Sequence, residues 1–190
     1  LEVMELYRQC KKEGAAKAEF LRRAAQVPGV YVPSLYEVEY HDDGTVKSYT
    51  PKEGAPARVE KRVVLDLDKA YYPKSVPVPM IEVVHDRIAE EVLRGCIRGC
   101  RFCQAGFLYR PFREKGIAAI DRQCRDLCAS TGYDEISLSS LSTSDYSHLN
   151  QLIDTLHQWT EGEKVSLSLP SLRVDNFSPA LMERINSVRK

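Results

Sequence analysis

Hydrophobic and polar residues show two different periodicities in the first part of the chain, and each periodicity predicts a different secondary-structure element. From Leu1 to about Gln26, apolar residues recur every three or four positions, which predicts helix with an interruption at Gly14. From Val30 to Pro51, apolar and polar residues alternate on both sides of Asp43-Gly44, which predicts a β-hairpin. The prolines that follow predict an extended arm as far as Pro79.

The rest of the chain alternates between short apolar runs and longer amphipathic segments. Strands are predicted at 80–84, 88–93, 136–141 and 165–169, and helices at 117–130, 146–159 and from 179 to the end. Ser178 before Pro179 supplies a helix N-cap followed by proline at the first helical position. The alternation predicts an α/β fold in which helices join parallel strands. Ligands of such folds collect at the carboxyl ends of the strands.

Composition narrows the classes of function. The 27 basic and 27 acidic residues cancel, so no global field favours nucleic acid or an anionic membrane as a partner. No apolar run approaches the ~20 residues of a membrane helix, and nothing at the start resembles a signal peptide. The chain starts with Leu inside a helical pattern, which favours a fragment of a longer protein.

Three cysteines, Cys96, Cys100 and Cys103, follow the strand predicted at 88–93 in the spacing C-x₃-C-x₂-C. A short loop of this kind can turn several thiolates toward one small inorganic group, and its glycines let the backbone come close. A structural zinc and an ordinary electron-transfer cluster both take four protein ligands. Three thiolates on a four-iron cluster would leave one iron open to a substrate or cofactor. The alternative is a zinc site completed by another cysteine or a histidine.

The other cysteines are predicted to pack in the core. Cys10 lies on the apolar stripe of the first helix, and Cys124 and Cys128 share one helix face with apolar residues. Because clustered metal-binding cysteines must stay reduced, the cysteine usage favours a reducing, cytoplasmic location.

The cysteine loop resembles the cluster-binding loop of the radical S-adenosylmethionine (radical SAM) enzymes, whose signature is C-x₃-C-x-aromatic-C. Cys96, Cys100, Phe102 and Cys103 meet that signature. The surrounding sequence is similar to a branch whose members often carry a cobalamin-binding-like domain upstream. The resemblance implies the amino-terminal half of a partial (β/α)₆ barrel.

The implied domain organisation has three parts. Residues 1–29 would be the helical tail of an upstream domain or linker, and residues 30–79 a β-hairpin with an extended arm. Residues 80–190 would form the half-barrel, which is truncated in this chain.

The resemblance also implies the cofactors. A [4Fe–4S] cluster would bind the three cysteines, with S-adenosylmethionine on the open iron, and one electron would release a 5′-deoxyadenosyl radical that abstracts hydrogen from a substrate. Phe102 would lie near the adenine, or else simply pack within the loop.

Three further residues are candidate cofactor ligands. Ser140 and Ser142 stand where many family members have a glycine-rich segment that meets the amino group of S-adenosylmethionine. The alternative is a loop that caps the following helix. Arg173 would hold the carboxylate or ribose of the cofactor, or else form a surface pair with Asp175.

A local basic excess surrounds the cysteines, with six basic residues against one acid between Arg94 and Lys115. Arg94, Arg98 and Arg101 would either stabilise the reduced cluster or point to solvent. The excess could also dock an acidic electron donor.

These features predict a radical SAM enzyme for methyl or methylthio transfer to RNA or a small metabolite. The implied partners are cobalamin in an upstream domain and a reductant such as flavodoxin or ferredoxin. No membrane partner is expected. The alternative from another class is a non-catalytic zinc or nucleic-acid-binding module built on the cysteines and the basic stretch.

Overall fold

Helices come first along the chain, a hairpin follows, and a small parallel sheet with helices occupies the rest. The computed structural model describes residues 1–52, 54–176, 178–186 and 188. Contacts divide the chain into two units, Leu1–Val63 and Val64–Lys190. The first helices belong to the same unit as the hairpin, and the predicted domains 1–29, 30–79 and 80–190 stay a prediction.

The first unit contains two helices, α1 (Glu2–Glu13) and α2 (Lys17–Ala24), and the hairpin strands β1 (Tyr36–Tyr40) and β2 (Val46–Pro51). Gly14 ends α1 in the left-handed conformation with φ of 66°, which explains the predicted interruption. The hairpin is antiparallel, as predicted. Asp43 organises its turn by accepting hydrogen bonds from the backbone N–H and the hydroxyl of Thr45.

The second unit is built on strands β3 (Ile88–Glu91), β6 (Glu135–Ser139) and β7 (Ser166–Ser168), which pair in that order and run parallel. Strands β4 (Leu93–Arg94) and β5 (Arg113–Glu114) form a separate antiparallel ladder. The helices are α3 (Ala105–Leu108), α4 (Ile117–Thr131), α5 (Leu149–Glu163) and α6 (Pro179–Ile185). The predicted α/β class is therefore confirmed.

Apolar side chains of the parallel strands and of α4, α5 and α6 form one core. Ile88, Ile136 and Leu167 of the three strands are nearly inaccessible, as are Ile120 of α4 and Leu152 of α5. Burial of these alternate strand positions stabilises the unit at about 25 cal/mol for each Å² of apolar surface removed from water. The opposite positions of β3 and β6 remain free to line a site.

Some element boundaries differ from the prediction. The strand predicted at 80–84 is wrong: the segment pairs with no strand among the described residues, and Met80 and Val84 are almost fully exposed. The run predicted at 88–93 divides into β3 and β4 at Val92. The helix predicted from Tyr146 begins at Leu149, because a short 3₁₀ turn precedes it. Residues 187, 189 and 190 of the predicted last helix lie outside the described residues.

The predicted cap of α6 is confirmed, since the Ser178 side chain accepts a hydrogen bond from the Leu181 N–H at 3.4 Å. Within the described part of the chain, no helix combines the length and the apolar character that a membrane crossing requires.

Candidate metal centre

The cysteine loop begins where β4 ends, and a glycine makes its first turn possible. Gly95 has φ of 87°, a conformation that side chains strongly disfavour. A Cβ atom at this position would lie 2.7 Å from the backbone oxygen of Tyr109 and 2.8 Å from that of Pro111. The sequence therefore needs glycine here so that the strand can lead into the loop while residues 109–111 pass against it.

The three thiols of the loop are free and only half-buried. The Cys103 N–H donates to the Cys100 oxygen at 3.0 Å, and the Arg98 N–H donates to the Cys96 sulfur at 3.4 Å. A Cβ added at Gly106 would lie 3.8 Å from the Cys103 sulfur, an ordinary van der Waals distance, so the backbone of α3 lies close to this thiol. Local hydrogen bonds thus shape the loop around its sulfur atoms.

Within the described residues, no three side chains of histidine, cysteine, aspartate or glutamate are grouped so that they could hold a metal ion. A four-iron cluster is larger than a single ion, and its thiolates lie correspondingly farther apart. The chemistry of the donor set fits such a cluster, because three accessible thiols come from one short loop.

Arg98, which stands between the first two cysteines, is bound to the loop that follows β6. Its Nε donates to Oδ2 of Asp145 at 2.9 Å, and its Nη2 donates to Oδ1. The Asp145 side chain is only 3% exposed and also accepts from the Ser142 hydroxyl at 2.7 Å and from the Asn176 amide at 3.2 Å. The hydrogen bond from Arg98 is the main reason that the pKa of Asp145 is lowered.

Arg173 lies on the loop that follows β7 and makes two hydrogen bonds to Asp175, at 2.9 and 2.8 Å. The predicted pair with Asp175 is thus present. The guanidinium also lies near the Cys100 side chain, and contact with both groups raises its pKa, Asp175 having the larger effect. Arginines from the loops after β3–β4 and β7 therefore approach two of the three cysteines.

The two serines predicted to bind cofactor shape the loop after β6. The Ser140 hydroxyl bonds to that of Thr143 at 2.9 Å and accepts from the Ser142 N–H at 3.1 Å. Ser142 is buried, and its hydroxyl is committed to Asp145. The alternative that this loop caps α5 is wrong, because His148 occupies the N-cap position and makes no side-chain cap.

A cleft of about 430 Å³ lies at the carboxyl ends of β3 and β6, beside the start of the cysteine loop. Ala89 and Glu91 of β3 line it together with Ser139, Ser140 and Tyr109. These are the strand positions that do not enter the helix-covered core. The location agrees with the general rule that ligands of parallel sheets collect at this edge.

Phe102 is 92% exposed, so the alternative that it packs within the loop is wrong for this structure. Its ring stands at the surface of the cysteine loop. The exposure leaves the ring available for contact with another planar group.

The basic stretch does not form one surface. Arg94 is paired with Glu91 at 2.8 and 2.6 Å, and buried Lys115 is paired with Glu90 and donates to Gln123 at 2.8 Å. Arg110 and Arg113 donate to backbone oxygens, whereas Arg101 is exposed. Most of these cations therefore make contacts within the folded chain.

Sequence reasoning missed the partnership of Arg98 with Asp145. A usable signal existed: Arg98 follows the β3–β4 segment and Asp145 follows the neighbouring parallel strand, so both belong to loops at one edge of the sheet. Glu91, which faces the cleft and holds Arg94, was also missed, because it reads as an ordinary strand residue.

Comparisons with known proteins agree with this geometry. The profile described as the radical SAM superfamily matches residues 91–189. A protein of Methanocaldococcus jannaschii, described only as uncharacterised, is 25% identical over 144 residues, which are 76% of this chain and 31% of that protein. The chain thus spans about a third of the length of this curated relative. No solved structure matches the chain.

Proposed function

Because the chain belongs to the radical SAM superfamily, we propose that Cys96, Cys100 and Cys103 hold a [4Fe–4S] cluster that leaves one iron for S-adenosylmethionine. The observation that supports the proposal is the setting of the loop: three free, partly exposed thiols lie beside a cleft at the carboxyl ends of β3 and β6. When bound, the cluster and S-adenosylmethionine supply a one-electron cleavage that yields a 5′-deoxyadenosyl radical.

The residues around the loop hold it in place for this role. The Arg98–Asp145 pair connects the loop to the segment after β6. Arg98 and Arg173 also place positive charge near Cys96 and Cys100. Positive charge at this place would stabilise the negatively charged reduced cluster.

S-adenosylmethionine would bind on the cleft side of the loop. Ser140 lines the cleft, and its hydroxyl oxygen, which already bonds to Thr143 and the Ser142 N–H, could still accept from the amino group of S-adenosylmethionine, whereas Ser142 acts by holding the Asp145 carboxylate. Phe102 is exposed enough to contact the adenine, and Arg173 is near enough to Cys100 to contact a carboxylate bound beside that cysteine.

The reaction that we propose is methyl or methylthio transfer to RNA or a small metabolite, in the cytoplasm. It would use cobalamin bound by an upstream domain and electrons from a reductant such as flavodoxin or ferredoxin. This part of the proposal rests on the amino-acid sequence of the cysteine loop and its surroundings.

Anaerobic reconstitution with iron and sulfide tests the cluster. We expect a brown protein with about four irons per chain, and loss of the colour and iron in Cys100→Ala. Cys10→Ala is the matched control, because Cys10 is a buried thiol of the first unit. A colourless protein that holds one zinc would overturn the proposal and favour the zinc module.

Addition of S-adenosylmethionine to the reconstituted protein tests the open iron. We expect a change in the electron paramagnetic resonance spectrum of the reduced cluster, since the cofactor becomes a ligand of one iron. The control is 5′-methylthioadenosine, which lacks the amino and carboxylate groups by which S-adenosylmethionine would bind the iron. A spectrum that does not change on addition of S-adenosylmethionine would contradict the proposal that one iron is open to this cofactor.

A further inference from the structure

Residues 1–63 lie outside the region that matches the radical SAM superfamily, yet they carry a cleft of their own. The cleft has a volume of about 580 Å³. Tyr31 and Tyr49 form its aromatic wall, and Arg58 and Lys61 lie on its lining. Nothing in the candidate metal centre uses these residues.

The aromatic wall rests on a third tyrosine. Tyr36 is 6% exposed, and its hydroxyl donates to the Pro56 oxygen at 2.9 Å, which fixes the ring. Its ring stacks on that of Tyr49, with centroids 4.7 Å apart and planes 18° apart, and lies 4.9 Å from that of Tyr31. Tyr31 and Tyr49 therefore keep fixed positions while 45% and 44% of their surfaces remain exposed.

The backbone also fixes the two exposed rings. Tyr49 lies in β2 and pairs with Val38 of β1. Tyr31 lies two residues after Gly29, whose φ is 85° and where a Cβ would lie 3.1 Å from that of Arg62. The wall is thus preorganised, which reduces the entropy that a ligand must remove on binding.

The charge of the cleft has one sign. The described residues that line it include two cations, Arg58 and Lys61, and no carboxylate. Arg58 is exposed and makes no hydrogen bond or ion pair with the described residues. Glu60 lines a neighbouring cleft, which Arg58 also lines.

We propose that this cleft binds one nucleotide unit of a single-stranded nucleic acid. An unstacked base would lie against Tyr31 and Tyr49, and its phosphate would meet Arg58. Exposed aromatic rings with adjacent cations are the groups by which proteins bind single strands without reading sequence. A duplex could not stack a base on the tyrosine rings, because its bases are already stacked inside the helix. This binding does not depend on the cluster and so goes beyond the proposed function.

The test is fluorescence anisotropy with the full 190-residue chain, purified without added iron, and a labelled oligonucleotide. The probes are an RNA and a DNA strand of about 12 nucleotides, a hairpin duplex of the RNA, and a mononucleotide as competitor. We expect the single strands to bind more tightly than the duplex, and the RNA and DNA affinities to show whether the 2′-hydroxyl contributes. Competition by the mononucleotide at concentrations similar to the strand would assign the site to a free nucleotide and overturn the proposal.

Substitutions locate the site. Tyr49→Ala and Tyr31→Ala should each weaken binding about 5- to 100-fold, whereas Tyr49→Phe, which keeps the ring, should change it little. Arg58→Glu should weaken binding and make it less dependent on salt, because one phosphate contact is lost.

Matched controls lie in the same unit. Tyr40 is 62% exposed on the same hairpin, and Arg8 is exposed on α1, so Tyr40→Ala and Arg8→Glu should bind as the unchanged chain does. Circular dichroism melting checks that each variant is folded. Absence of binding or tighter binding of the duplex would overturn the proposal. So would a result in which Arg101→Glu loses binding while Arg58→Glu still binds as the unchanged chain does.

Discussion

Two pairs of cysteines in this chain share the spacing C-x₃-C but occupy opposite settings. Cys96 and Cys100 lie half-buried on a loop at the carboxyl edge of the sheet, near Arg98 and Arg173. Cys124 and Cys128 lie on the face of α4 that packs in the core, with 0% and 9% exposure.

The difference shows that the environment decides what a cysteine can do, because only the thiolate binds metal or acts as a nucleophile. Burial is the main reason that the pKa of Cys128 is raised to about 11 and that of Cys124 still higher. The α4 thiols are thus held neutral near pH 7. The loop thiols have solvent and arginines beside them instead.

Alkylation of the native chain by iodoacetamide is the most sensitive way to break this comparison. At neutral pH, a thiol with a pKa of about 11 is a thiolate about 300-fold less often than an ordinary cysteine. We therefore expect Cys128, which is also buried, to react much more slowly than the half-buried loop thiols Cys96 and Cys100, with Cys124 slower still. Pulse labelling followed by mass spectrometry measures the rates, and labelling in urea supplies the unfolded control. Equal rates for the two pairs would show that the comparison is wrong.

A glycine substitution tests what gives the loop its shape. Gly95→Ala should destabilise the second unit by about 3 kcal/mol, because alanine would be strained at φ of 87° and would meet two backbone oxygens. Gly99→Ala is the matched control on the same loop. It has no positive φ and nothing within 4 Å of the added Cβ, so we expect a change within about 0.5 kcal/mol. Urea unfolding measures both, and similar losses for the two variants would contradict the explanation.

The sequence was sufficient to predict the parallel sheet and the position of the cysteine loop. Ile88, Ile136 and Leu167 each begin or centre an apolar run followed by a helical pattern, and that alternation has few alternative folds. The strand predicted at 80–84 failed because an apolar run looks the same in a strand as in an exposed arm. Only a pairing partner distinguishes them, and pairing is not a local property.

The site was predictable only in part, for a similar reason. The spacing of the cysteines is local, so the loop could be recognised. The bond between Arg98 and Asp145 joins residues 47 positions apart, so no local spacing shows it, and only their common place at the carboxyl edge of the sheet points to it. The burial of Ser142 beneath this pair is likewise a consequence of how two loops meet.

Removal of the Asp145 carboxylate tests whether the Arg98 contact holds the loop. Asp145→Asn should cost about 1–3 kcal/mol in the free energy of unfolding near pH 7, since a buried acceptor of charged hydrogen bonds is lost. Asp175→Asn, whose side chain is 53% exposed, is the control and should cost clearly less.

The pH dependence gives this prediction its sign. The folded-state pKa of Asp145 is lowered, chiefly by Arg98. Its contribution is therefore complete above the pKa of the unfolded chain, about 4, and is lost as the pH falls through the lower folded-state value. The stability difference between the unchanged chain and Asp145→Asn should accordingly shrink on acidification below about pH 4. A difference that stays constant between neutral and acidic pH would mean that the carboxylate charge does not hold the loop, and that the environment of Cys96 and Cys100 is set by packing, as that of Cys124 and Cys128 is.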